Sequence, residues 1–296
     1  MKGLILTADD FGAAREVNDA IEAAHRDGVL TAASLMVAAP AAADAVARAR
    51  RLPTLRVGLH LTLVEGTPLL PRHEVSELVD CAGALRTDLA ALGARIAFSA
   101  RARRQLAAEV SAQFEAFRAT GLALDHCNAH KHFHLHPLIG GMIVRIGARF
   151  GLKAMRVPLE PADVLRRVEP ATRTTGAWLT VPWAALLRRR LRAAGLMVPD
   201  AVFGLAWSGA MTPARLRGLI RNLPPGLSEI YLHPATAAYP GSAPGYRYRE
   251  ELAALLDAEV RAACRDSARP RGGFSDFLQP ASAERRTLEA PHATGV

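Results

Sequence analysis

The residues best suited to chemistry are an aspartate pair near the start of the chain and a histidine run near its middle. Thr7-Ala8-Asp9-Asp10-Phe11-Gly12 follows a short apolar run. Two adjacent carboxylates at a strand end are costly unless a cation or a proton shares them. Consecutive strand side chains point to opposite faces, so both reach one site only if the chain turns, and Gly12 permits a turn. An Asx-type turn capping the next helix explains the same residues equally well. Further on, five of the ten histidines, His126, His130, His132, His134 and His136, fall between His126 and Pro137. If that stretch were extended, the last four would share one face. A catalytic metal takes about three protein ligands, so they cannot all bind it.

Two more histidines end apolar runs. His60 lies inside Val57-Gly58-Leu59-His60-Leu61-Thr62-Leu63, where a hydrogen-bonded core histidine is the simpler explanation taken alone. His233 closes Glu229-Ile230-Tyr231-Leu232-His233-Pro234, where an imidazole is placed to act as a general acid. The chain has no glycine-rich phosphate loop, no G-x-S-x-G and no H-E-x-x-H. A P-loop nucleotidase, an α/β-hydrolase and a zincin protease are thereby disfavoured. What remains is a mononuclear metal site of one carboxylate and two imidazoles, which activates water and polarises a carbonyl or phosphoryl oxygen.

These residues must be positioned by the elements around them. Short apolar runs followed by amphipathic helix patterns recur along the chain: strands at 3–8, 29–38, 56–63, 122–128, 153–157, 203–207 and 229–232, with helices at 15–26, 41–51, 101–118, 138–150, 213–222 and 249–265. Repeated βα units predict a mainly parallel α/β sheet, and about seven of them favour an irregular (β/α) barrel, in which strand carboxyl ends face the site. Residues 64–99 read as an excursion over one barrel mouth. Residues 160–200, with Trp178, Trp183 and the run Leu186-Leu187-Arg188-Arg189-Arg190-Leu191-Arg192, read as a helical insertion. Residues 1–280 are expected to form one domain, and 281–296 a disordered tail.

Composition narrows the class further. In 296 residues, 50% are hydrophobic and 22% charged, as in a globular protein, and 37 basic against 28 acidic side chains leave a net charge of +9. Such a balance favours anionic partners, but no nucleic-acid reading motif or aromatic platform accompanies it, so nucleic-acid binding is not expected. Three cysteines at distant positions make no disulfide framework, and with no apolar span or signal-like segment a cytoplasmic location is expected.

The motifs resemble the YdjC-like carbohydrate deacetylases, which include the chitooligosaccharide deacetylases. The resemblance rests on Thr7 to Gly12, Gly28-Val29-Leu30-Thr31, Gly58-Leu59-His60-Leu61, the histidine run, Met155-Arg156-Val157-Pro158 and Glu229 to Pro234, in family order over about residues 1–280. Asn128-Ala129-His130-Lys131-His132-Phe133-His134-Leu135-His136-Pro137 is most similar to the hopanoid-biosynthesis branch, HpnK. The resemblance implies a barrel of the glycoside hydrolase/deacetylase type and removal of an N-acetyl group from an amino sugar. It implies Asp10, His60 and His130 as ligands of one divalent ion, Mg2+ or Zn2+, with the roles of Asp9 and Asp10 open to exchange. Asp9 would be the base that takes a proton from water, and His233 the acid that protonates the leaving amine. Arg156 would orient a carboxylate or contact the sugar, and His132 and His134 would face substrate.

Two positions depart from the family pattern: Asn128 stands where many relatives carry aspartate, and Ala235 where glycine usually follows the late His-Pro. The hopanoid branch implies N-acetylglucosaminyl hopanoid as substrate, a lipid-linked sugar. Residues 183–196 form a basic amphipathic pattern that fits peripheral docking on the inner membrane, although a solvated arginine face over a leucine core explains it too. The family makes a homodimer an expectation. The alternatives are a chitooligosaccharide (diacetylchitobiose) deacetylase, a glycosidase using Asp9 or Asp10 with a further carboxylate, and a non-catalytic metal- or lipid-binding protein.

Overall fold

The structure, a computed structural model, describes residues 2–172 and 177–278. Six strands, β1 (Gly3–Phe11), β2 (Ala32–Leu35), β3 (Arg56–Leu61), β4 (Cys127–Ala129), β5 (Ala201–Phe203) and β6 (Leu227–Leu232), form one parallel sheet in the order β4-β3-β2-β1-β6-β5. Among the described residues ten helices surround it: α1 (Arg15–Arg26), α2 (Ala42–Arg50), α3 (Leu89–Phe98), α4 (Ala100–Ala119), α5 (Pro137–Ala148), α6 (Ala162–Val168), α7 (Ala177–Ala193), α8 (Pro213–Arg221), α9 (Tyr248–Leu256) and α10 (Ala258–Asp266). All nine residues of β1 are buried, as expected for a central parallel strand covered on both faces.

The segment after α5 completes the ring. Its backbone bonds to β4 on one side, Cys127 N to Ala154 O and Arg156 N to Cys127 O, both at 3.1 Å. On the other side Met155 N donates to Met197 O and Val202 N to Leu159 O, both at 3.0 Å. The result is the irregular, mainly parallel α/β barrel that the sequence predicts.

Local differences have identifiable causes. The strand expected at 153–157 makes only isolated bridges, Cys127 with Met155 and Ala154 with Met197. The helix expected at 249–265 is two, because Asp257 leaves helical geometry and its side chain caps Val260 N at 2.9 Å. The excursion at 64–99 ends in α3 and contributes Glu65, Gly66, Thr67 and Leu89 to the cavity at the barrel mouth. Among the described residues no helix is long and apolar enough to cross a membrane. The expected tail, 281–296, lies outside the described residues.

Candidate active site

The carboxyl end of β1 is reshaped so that its two neighbouring carboxylates reach different partners. Its register against β2 slips between Ala8 and Phe11, and Asp10 holds a φ of 61°, a left-handed conformation sparsely used by non-glycine residues. Gly12 follows at φ 94°, with its N–H bonded to Asn18 Oδ1 at 2.8 Å. Asn18 in turn donates to Ala41 O at 3.1 Å, so a buried amide on α1 ties this turn to the start of α2. The Asx-type cap is not what forms, since Ala14 starts α1 without a side-chain cap.

Asp10, His60 and His130 meet at the mouth. Asp10 Oδ1 lies 3.3 Å from His60 Nε2 and 3.2 Å from His130 Nδ1, and the two ring nitrogens are 3.4 Å apart. These three atoms are one oxygen and two imidazole nitrogens within 4.8 Å of one another, the donor set of a divalent-metal site. Asp10 Oδ1 is buried with no hydrogen-bond partner, which suits an atom that faces a cation. The electrostatics lean the same way. Burial opposes charge on both groups, yet His130 and His60 hold the Asp10 carboxyl well below the usual range, and Asp9 and Asp10 raise the pKa of His60.

Asp9 turns instead to the barrel interior. The guanidinium of Arg156 takes it in a two-pronged pair, with Nη2 3.0 Å from Oδ1 and Nη1 on Oδ2. Arg156 also bonds Glu229 Oε1 through Nε (2.9 Å) and Nη2 (2.7 Å), and Thr7 Oγ1 donates to the same oxygen at 2.9 Å. Arg156 is completely buried, with its guanidinium 4.4 Å from the centre of the Tyr231 ring. Burial alone would raise the Asp9 pKa, but Arg156 overcomes it and holds the carboxyl far below its ordinary value.

A cavity of about 890 Å³ opens on this arrangement, walled by Asp9, Asp10, His60, His130, His132 and His233 among others. His233 faces it from the end of β6, its Nδ1 4.0 Å from the buried Glu251 carboxylate. His132 faces it with Nε2 2.9 Å from the Tyr231 hydroxyl. Burial and the neighbouring His134 and Arg156 push the pKa of His132 well down, so it presents a neutral ring. Arg156 and His134 stand behind the wall, not on it: of the two roles expected of Arg156 the structure shows the orienting of a carboxylate, and His134 does not face the cavity as expected. Arg156 is consumed by Asp9 and Glu229, and His134 is fully buried with its pKa pushed down to about 3 by burial and Arg156.

The shared histidine face does not form either. Residues His130–Leu135 wind into a 3-10 segment with Lys131 and His132 at φ 54° and 53°, which leaves His130 and His132 on the cavity, buries His134 and puts His136 on a neighbouring groove. Sequence reasoning also overlooked Ser34, Tyr231 and Glu251. Apart from Asp9 and Asp10, a visible signal existed for one buried acid, Glu229, a charge inside the run Leu227–Leu232.

With fold and site in place, the chain belongs to the YdjC-like protein family, whose sequence profile matches residues 3–266. It is 31% identical over 258 residues to a carbohydrate deacetylase of Geobacillus stearothermophilus, covering 86% of this chain and 89% of that protein. A carbohydrate deacetylase of Brevibacillus brevis is 36% identical over 156 residues, 53% of this chain and 58% of that protein. For one of Vibrio vulnificus the figures are 40% over 147 residues, 50% and 56%. The chain thus spans little more than half the length of the Brevibacillus and Vibrio relatives it matches. A crystal structure of a putative cellobiose-phosphate cleavage protein from Enterococcus faecalis superposes with a TM-score of 0.73 at 24% identity, over 94% of this chain and 99% of that one, and shares the fold.

Proposed function

We propose that this protein removes the acetyl group from an N-acetylated amino sugar with one divalent metal ion, Mg2+ or Zn2+, held by Asp10, His60 and His130. The observation that carries the reading is the convergence of one carboxylate and two imidazoles on a cavity of sugar size, with Asp10 Oδ1 buried and unpartnered. The relatives named as carbohydrate deacetylases support the same chemistry. When bound, the metal would polarise the acetyl carbonyl and acidify a water.

The protein's own groups handle the protons. Water adds to the acetyl carbon, Asp9 accepts its proton, and the carbon–nitrogen bond breaks as His233 gives a proton to the departing amine, leaving acetate and a free amino sugar. Arg156 keeps Asp9 a carboxylate at working pH and fixes its direction, at the cost of some basicity. His132 and Tyr231, bonded to each other at the wall, are placed to orient the sugar.

A second observation favours a lipid-linked sugar, N-acetylglucosaminyl hopanoid, over a chitooligosaccharide. A groove of about 630 Å³ lined by Phe133, Leu135, Leu138, Pro158 and Trp183 adjoins the first cavity, and the two share Leu89, Lys131, His132 and Leu205. An apolar aglycone suits such a wall, whereas a second sugar would leave its hydroxyls unpaired there. On α7, Leu187 and Leu191 are buried while Trp183 and Leu186 remain exposed, in keeping with peripheral contact with an anionic membrane through 183–196.

Acetate release from N-acetylglucosaminyl hopanoid and from diacetylchitobiose, with chelated and metal-restored protein, tests both levels. Metal-dependent release from the hopanoid alone supports the full reading. Release from chitobiose alone keeps the chemistry and removes the lipid. Release from neither, by folded protein with metal bound, overturns the deacetylase.

A further inference from the structure

Behind the metal cluster runs a buried chain of polar groups that touches neither cavity. Asp125 accepts from Phe274 N (3.0 Å), Ser275 N (2.7 Å) and Ser275 Oγ (2.6 Å). Its Oδ2 lies 2.8 Å from His126 Nδ1, His126 Nε2 lies 3.0 Å from Ser34 Oγ, and Asn128 Nδ2 lies 3.0 Å from the same hydroxyl. Asn128 Oδ1 then meets His60 Nδ1 at 2.6 Å. Ser34, His126 and Asn128 are completely buried. In another setting, Asp125, His126 and Ser34 would make a nucleophile triad, but Ser34 lines neither cavity and no substrate could reach it.

The directions of these bonds follow from the donor inventory. A carboxylate only accepts, so His126 Nδ1 must donate to Asp125 and leave Nε2 to take the Ser34 proton. The Ser34 oxygen is then free to accept from the Asn128 amide nitrogen. That nitrogen also lies 3.3 Å from Asp9 Oδ1, another pure acceptor, and a reversed amide would set oxygen against it. The amide is therefore fixed twice over, and its oxygen can only accept from His60 Nδ1–H. His60 Nε2 is left with its lone pair facing Asp10 and His130.

We propose that Asp125, His126, Ser34 and Asn128 are positioning residues that lock His60 in the Nδ1–H tautomer, presenting Nε2 to the cation. A neutral amide does this without adding a third carboxylate beside Asp9 and Asp10. The ordering reaches from outside the barrel: the Phe274 ring stacks on His126 with centres 4.2 Å apart, and the 274–275 backbone holds Asp125. Gly58 leaves the space, since a Cβ there would come within 2.4 Å of the His126 ring. The proposal rests on Asp10, His60 and His130 being the metal cluster, and is independent of the substrate.

The test uses the full chain stripped of metal. Long-range ¹H–¹⁵N spectra of the histidine rings, taken at alkaline pH where the His60 ring is neutral, should show it protonated at Nδ1 and bare at Nε2 in the unaltered protein. Asn128→Leu, which removes the acceptor of His60 Nδ1–H, should mix the two tautomers and weaken Co2+ binding by roughly 10- to 100-fold, the usual cost of losing a partner behind a metal ligand. Ser34→Ala, with Asp9 still holding the amide, should do so to a smaller degree. A loss of packing alone would lower the melting temperature without moving the tautomer. A neutral His60 ring protonated at Nε2 in the unaltered protein, or a folded Asn128→Leu variant that keeps the single tautomer and full Co2+ affinity, would overturn the proposal. Acetate release plays no part in the readout, so failure here is distinguishable from failure of the deacetylase reading.

Discussion

Asp9 and Asp10 are consecutive in the chain, yet they belong to two different regions. Asp9 joins a group in which Thr7, Arg156 and Glu229 bind one another behind the barrel mouth. Asp10 joins His60 and His130 at the mouth itself, where its Oδ1 has no hydrogen-bond partner. Polar groups that have found protein partners hold a structure in place, whereas buried polar groups without them mark where something else must bind. The left-handed turn at Asp10 is what separates the two, because it sends neighbouring carboxylates to different partners.

The contrast is broken most directly at Asp10. Asp10→Asn should abolish metal retention, measured by dialysis and elemental analysis. Acetate release should fall beyond the roughly 10²–10⁴-fold that a single proton-transfer group contributes. The metal-free variant should lose less stability than Arg156→Met, because only the attraction of His60 and His130 for the Asp10 carboxylate is lost. Arg156→Met should do the reverse. Leaving Asp9 and Glu229 buried without their cation is expected to cost about 3–5 kcal/mol in urea unfolding. Arg156→Lys should recover only part of that, since one ammonium cannot reproduce the two-pronged pair. Equal losses of stability from Asp10→Asn and Arg156→Met would erase the distinction. His233→Asn sharpens it from the other wall of the cavity: turnover should fall about 10²–10⁴-fold with metal affinity unchanged.

How much of this was legible in the sequence follows from the range of each signal. The parallel barrel was readable because apolar runs and helix periodicity are local, and α1 falls on the residues its pattern marks. The gathering of Asp10, His60 and His130 was legible only through the resemblance, because β1, β3 and the segment after β4 are distant in the chain. The destination of Arg156 was half legible: orienting a carboxylate is what it does here, while its burial depends on Glu229, whose place on β6 beside β1 no local pattern encodes. The fanning of His130 to His136 was illegible, since it depends on left-handed backbone at Lys131 and His132, which nothing in those side chains demands.

A smaller effect separates the outer clamp from the catalytic wall. His126 and Ser275 hold the Asp125 carboxyl below its ordinary value of 3.8 despite its burial. The unfolded chain therefore takes up that proton first, and the stabilisation is complete above about pH 4 and lost as pH falls through the folded value. Urea unfolding at neutral pH and at about pH 3 should show this loss, no more than about 1 kcal/mol, and Asp125→Asn should remove this share of the pH dependence. A variant with the parent's full slope would place the acid sensitivity elsewhere.

The last expected effect concerns the groove, and it asks whether the apolar wall belongs to the site at all. Trp183 is about half exposed at the groove's rim and makes none of the polar contacts described for Asp10, His60 and His130. Removing a half-covered aromatic surface forfeits about 1–2 kcal/mol of apolar contact, close to tenfold in binding. Trp183→Ala should therefore raise KM for an N-acetylglucosaminyl hopanoid about tenfold and leave its kcat unchanged, because the reacting atoms lie in the other cavity. For diacetylchitobiose neither constant should move, since that sugar has nothing to lay along the groove. A rise in KM for both substrates would make Trp183 part of the sugar site, and no change for either would detach the groove from catalysis.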